Sequence, residues 1–115
     1  MKKNTNGVDT AHAFKERVSA WAVRVRVNPK QVRLQSMTRK WASCSTEGRV
    51  SFSLDLLREP ISFQDYVIVH ELIHLKVPNH GKLFASLLAA HLPNCKYRRS
   101  PVEDRSRYPD EPQMR

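Results

Sequence analysis

The stretch Tyr66-Val67-Ile68-Val69-His70-Glu71-Leu72-Ile73-His74-Leu75-Lys76-Val77-Pro78-Asn79-His80 sets the centre of this chain. It contains the pattern H-E-x-x-H, with another histidine six residues later. On a helix, positions i and i+4 share a face, so His70 and His74 aim their imidazoles at one point. Glu71 sits about 100° further round the axis, within reach of a water held beside that point. Two imidazoles with an adjacent carboxylate are the residue types of a zinc site with a general base. Tyr66, Val67, Ile68, Val69, Leu72, Ile73 and Leu75 make this helix apolar on nearly every side. Such a helix belongs in the middle of a fold. There, a glutamate and two histidines are costly without partners, and the metal reading supplies them.

Two histidines compete for the third ligand position. His80 has the spacing of the metzincin motif H-E-x-x-H-x-x-G-x-x-H, but Val77 occupies the glycine position and the only later methionine is Met114, so no Met-turn follows. Val77-Pro78-Asn79 must turn the chain by another geometry. His91 falls near the end of the next helix. There, like His12, it reads as a surface or helix-terminal residue.

Outward from the motif, Ser62 is the expected N-cap of the central helix, with Asp65 in the place of a capping-box acid, and the helix runs to about residue 76. Upstream, Phe14, Val18, Trp21 and Val25 recur at helical spacing, which predicts a leading helix over residues 11–25 stopped by Asn28-Pro29. Val32 and Leu34 alternate with Arg33 and Gln35 in a first strand. Residues 41–44 and 49–54 form a hairpin about Ser45-Thr46-Glu47-Gly48, with Gly48 free to take positive φ. Residues 55–59 are a connector with a short helical turn. Downstream, Phe84, Leu87, Leu88 and Leu92 mark a following helix stopped by Pro93. The architecture expected is α+β: a leading helix, a small, mostly antiparallel three-stranded sheet, the H-E-x-x-H helix and a following helix. Residues 1–10 read as a disordered leader, 11–95 as the domain, and 96–115 as a basic, proline-containing tail.

With 115 residues the chain has room for one modest core. Its formal net charge of +9 favours an anionic partner, nucleic acid or nucleotide among them. Seven basic residues and one acid fall between Arg24 and Arg49, which puts a positive face on the small sheet. Cys44 and Cys95 have no paired spacing and read as reduced thiols. The start of the chain has no apolar h-region, and no apolar run approaches membrane-spanning length. The expectation is a cytoplasmic protein without a membrane partner. Trp41 reads as a core anchor and Phe84 as packing behind the metal.

Four segments, in order, resemble the YgjP-like zinc metallopeptidases: Arg39-Lys40-Trp41-Ala42-Ser43-Cys44-Ser45, Val50-Ser51-Phe52-Ser53-Leu54, Asp65 through Leu75, and Asn79-His80-Gly81-Lys82-Leu83-Phe84. They look more distantly like SprT-like metalloproteases. Ala42 departs from the usual glycine, Ser53 from a common asparagine and Ala85 from the usual tryptophan. The leading helix stands where longer relatives carry a β-rich part. The resemblance implies a compact zincin-like core, zinc held by His70, His74 and His80, Glu71 as base, and a protein or peptide substrate. Tyr66, Arg39 and Lys82 are candidates to stabilise the oxyanion. The same site chemistry can attack phosphorus, so a metal-dependent nucleotide triphosphate hydrolase is the alternative. A DNA-associated SprT-like protease is the other.

Overall fold

In the computed structural model, residues 7–97 and residue 102 are described. The leading helix α1 spans Gly7–Val25 and starts four residues before the expected position, so residues 7–10 are helical and not part of a leader. Phe14, Val18, Ala22 and Val25 form its buried stripe, while Trp21 is half-buried at the edge. The helix ends in a Schellman arrangement: Arg26 N donates to Val23 O and Val27 N to Ala22 O. Arg26 takes the left-handed position (φ 67°) that glycine usually fills.

Strands β1 (Gln31–Gln35), β2 (Ala42–Cys44) and β3 (Arg49–Ser53) form one sheet in the order β1-β3-β2. The β2–β3 pair is the expected antiparallel hairpin, with Ser43 opposite Ser51. The β1–β3 pair is parallel, with Leu34 opposite Phe52. The sheet is therefore mixed, which corrects the expectation of a mostly antiparallel one. Residues 36–41 carry the chain past the central place, so β2 forms on the far edge and β3 returns into the gap. Alternation within a strand carries no information about that order. Ser53 fixes the crossing: its buried Oγ donates to Met37 O (2.8 Å) and accepts from Asp55 N (3.1 Å).

The hairpin turn is as the sequence suggests. Gly48 has φ 92°, and Ser45 Oγ accepts from the backbone N–H groups of Glu47 and Arg49, both at 3.2 Å. A 3₁₀ turn over Leu54–Arg58 follows. Helix α2 spans Ile61–His74 and α3 spans Lys82–His91. Ser62 is not the N-cap of α2. That place belongs to Pro60, whose carbonyl accepts from Phe63 N and Gln64 N at 3.0 Å. Nor does Asp65 close a capping box. It accepts from Arg17 (3.0 Å) and from the Trp21 indole N–H (3.2 Å) on α1.

Helix α2 is the centre of the domain, packed by α1, α3 and β2. Ten of its residues are buried, from Phe63 to Ile73, and that cover accounts for its all-round apolar sequence. Phe14 meets Phe52 edge-on at 5.1 Å, and Trp41 meets Phe63 at 5.3 Å, joining helices to sheet as the anchor reading of Trp41 expected. Within the stretch read as a tail, Tyr97 packs on Phe63 (4.9 Å) and Val102 is fully buried, its carbonyl accepting from Trp41 N (2.8 Å). Residues 1–6 of the expected leader and most of the tail lie outside the described residues. Among the described residues, no helix is long and apolar enough to cross a membrane. Cys44 and Cys95 are not joined in a disulfide.

Candidate metal centre

Helix α2 supplies two of three converging imidazoles. His70 and His74 are four residues apart on one face, with ring centroids 4.9 Å apart. The backbone then leaves the helix: Val77 N donates to Ile73 O (2.8 Å), and Pro78 prevents further helical bonding. This turn brings His80 back over the helix face. His80 Nε2 stands 2.9 Å from His74 Nε2 and 3.3 Å from His70 Nε2. The three side chains offer ligand atoms within 4.8 Å of one another, a group that could hold a metal ion.

The local chemistry prepares these nitrogens. His74 Nδ1 lies 3.2 Å from Val77 O. A carbonyl only accepts, so Nδ1 carries the proton and the Nε2 lone pair faces the other two rings. The turn that delivers His80 thus also fixes the tautomer of His74. Phe84, one turn into α3 and 4% exposed, lies against all three imidazoles at centroid distances of 5.0, 4.8 and 4.9 Å. It backs the site as anticipated. Tyr66, one turn before His70, meets that ring at 5.7 Å and is itself buried.

Exposure is graded across the triad: His70 is buried, His74 half-buried and His80 exposed. Glu71 is 1% exposed. It nevertheless lines a cleft of about 330 Å³ with His74, His80, Ser43, Thr46 and Lys40. A carboxylate beside converging imidazoles at the wall of an open cleft is placed to exchange a proton with a small molecule held there.

The other candidates fall elsewhere. His91 ends α3 against Trp21, at 6.4 Å, and takes no part in the triad. His12 faces Glu16 on the exposed side of α1 (3.2 Å). Arg39 and Lys82 are exposed and do not line the cleft, whereas Lys40 does. The cleft wall made by Ser43 and Thr46 also escaped the sequence reading. The signal available was the hairpin itself, whose turn falls opposite the C-terminal end of α2.

Comparison with known proteins agrees with this geometry. The chain is similar in fold to the metallopeptidase zymogen of Pyrococcus abyssi abylysin, at 19% identity and TM-score 0.63 over 70% of this chain and 81% of that one. It is similar also to the metallopeptidase zymogen of Methanocaldococcus jannaschii jannalysin, at 24% identity and TM-score 0.63 over 78% and 83%. No curated protein matches. The model of the YgjP-like metallopeptidase domain matches residues 8–104, nearly the whole packed chain with its three histidines and glutamate, and the protein therefore belongs to the YgjP-like metallopeptidase family.

Proposed function

We propose that the protein is a zinc-dependent metallopeptidase in which His70, His74 and His80 hold the metal and Glu71 is the general base. The observation that carries this reading is the convergence of the three Nε2 atoms beside Glu71. Tetrahedral zinc with Zn–N bonds of about 2.0–2.1 Å sets neighbouring ligand nitrogens about 3.3–3.4 Å apart. The 3.3 Å separation of His70 and His80 and the 2.9 Å separation of His74 and His80 lie near that span, and all three side chains offer ligand atoms within 4.8 Å of one another. Three neutral nitrogens suit zinc, and the family supports a metal. Zinc bound by three protein ligands supplies an open fourth position, an acidified water and a Lewis acid for the scissile carbonyl.

The protein's own groups do the rest. Glu71 takes a proton from the attacking water and passes it to the leaving amine, each step a short swing within the cleft. Burial of its carboxylate at the foot of the cleft keeps bulk water from competing for that proton. Phe84 holds the imidazoles in register, and the Val77 carbonyl keeps His74 in the tautomer that presents Nε2. The substrate is a protein or peptide segment laid along the cleft. Two cysteines without paired spacing and not joined in a disulfide support a reducing, cytoplasmic setting.

Two measurements test the assignment. Metal analysis of the purified protein is expected to give about one zinc per chain, lost in a His70→Ala variant. Glu71→Gln is expected to keep the metal and to lower cleavage of an unfolded protein by about 10²–10⁴-fold, the span of general-base contributions. Full activity in that variant would remove Glu71 from its role. Phosphate release from nucleoside triphosphates without peptide cleavage would replace the peptidase with a phosphohydrolase.

A further inference from the structure

The cleft beside Glu71 adjoins further open space. Ser45, Thr46 and His74 line the cleft, and the same three residues line a second cavity of about 420 Å³ on the far side of the hairpin turn. Arg26, Lys30 and Lys76 supply positive charge there. The one acid in its wall, Glu47, is already paired with Arg49 at 2.7 Å. Three cations therefore face a cavity whose only carboxylate is neutralised, directly adjoining the hydrolytic cleft.

The cations are set there by the fold. Lys76 follows α2, and its Nζ donates to Val25 O at 2.7 Å, which fixes the ammonium at the end of α1. Lys30 is held to the turn by its backbone N–H, which donates to Gly48 O at 2.8 Å. Arg26 occupies the left-handed position at the end of α1, where glycine is the residue of least conformational cost. A cation there spends backbone stability on a charge at this cavity. Positive potential on this side also reaches His91, whose pKa is lowered by burial first and then by Arg24 and Lys76.

Resting on the peptidase reading above, we propose that this second cavity is a specificity subsite for acidic side chains, so that the enzyme prefers peptides carrying Asp or Glu on one side of the scissile bond. The cavity shares His74, Ser45 and Thr46 with the cleft, so a chain lying across that common edge delivers its next side chains to the three cations. Peptide is favoured over single-stranded nucleic acid because none of the described residues lining the cavity is Phe, Tyr or Trp, the stacking surfaces that unpaired bases use.

The test uses zinc-loaded protein and quenched fluorescent peptides of one length, with Glu-Glu, Gln-Gln or Lys-Lys placed on either side of the cut. At low salt the Glu-Glu peptide is expected to have kcat/KM about tenfold above the Gln-Gln peptide, with the ratio approaching one at about 0.5 M salt, because exposed ion pairs are screened over a few ångströms there. The double change Arg26→Glu and Lys30→Glu is expected to reverse the order in favour of Lys-Lys. Arg26→Gly separates fold from function: its melting temperature should not fall, while the acidic preference should weaken. Binding of the same peptides to Glu71→Gln protein, read by fluorescence anisotropy, should show the same ranking. Equal rates on all three peptides would overturn the subsite, as would a preference that survives the double change. Displacement of the acidic peptide by a short single-stranded oligonucleotide of equal charge at lower concentration would overturn it in favour of nucleic acid. If no peptide is cut but Glu71→Gln protein still ranks Glu-Glu first, the peptidase reading falls and the acidic subsite stands.

Discussion

The two walls of the cleft are built on different terms. One is α2, with His70 and Glu71 at 5% and 1% exposure and packing partners in α1, α3 and β2. The other is a three-residue edge strand, the segment just before it and an exposed turn, with Lys40, Ser45, Thr46 and Glu47 facing solvent. Groups that must meet one atom within a fraction of an ångström sit on the element that cannot move without disturbing the core. Groups that meet a variable substrate sit where change costs little. His80 belongs to the second kind by exposure and to the first by the role proposed for it. Phe84 reconciles the two, since its buried ring presses the exposed histidine against the helix pair.

The contrast can be broken by experiment. Phe84→Ala should have the largest effect: a cost of about 3–5 kcal/mol for a buried ring, read from urea unfolding of the metal-free protein. The same change should weaken zinc by about 10–100-fold in chelator competition, the range for groups that orient metal ligands. If metal affinity were unchanged, the ring would be packing only. Ser45→Ala, on the exposed wall, should cost about 1 kcal/mol because Ser45 Oγ accepts two backbone N–H bonds at the turn. It should leave zinc affinity as it is; an equal loss of zinc would mean that the two walls act as one. The smallest effect concerns His91. Its folded pKa lies below the ordinary value of 6.5, so the unfolded chain binds more protons in the window between the two values. Stability from this group is therefore present above pH 6.5 and declines as pH falls through that window. Comparing urea midpoints of the wild type and His91→Gln at pH 7.5 and 5.5 isolates the contribution, which should vanish in the variant.

The site was legible in the sequence to the degree that it is local. His70, Glu71 and His74 lie within one helix, where spacing alone gives relative direction. His80 was one of two candidates for the third place on spacing, and the resemblance to the YgjP-like family favoured it over His91. The strands were legible singly, since Val32 and Leu34, and Val50 and Phe52, alternate. Their order was not, because whether β3 lies beside β1 or outside β2 depends on how residues 36–41 cross, and Ser53 holding Met37 O is a contact across 16 positions. Asp65 misled for a related reason. Three residues past Ser62 it has the form of a capping acid, yet a stronger pair of donors, Arg17 and Trp21, arrives from a distant helix. Lys40, just before β2, gave no sign of lining a cleft, because nothing in its neighbours in sequence says what that segment overlooks.

The ties between α1 and α2 have a consequence for how the chain folds. Arg17 with Gln64 and Asp65, Trp21 with Asp65, and Lys76 with Val25 join residues 44 to 51 positions apart. The hairpin, in contrast, closes across the turn from Ser45 to Arg49, a separation of four. Chain entropy charges the long closures first and rewards them late, so connectivity biases folding toward an early hairpin and a late docking of α1. Trp21 fluorescence would time that docking. Helix α2 therefore receives its last cover from a part of the chain made before it, and a nascent chain must wait for α2 to emerge before α1 can dock.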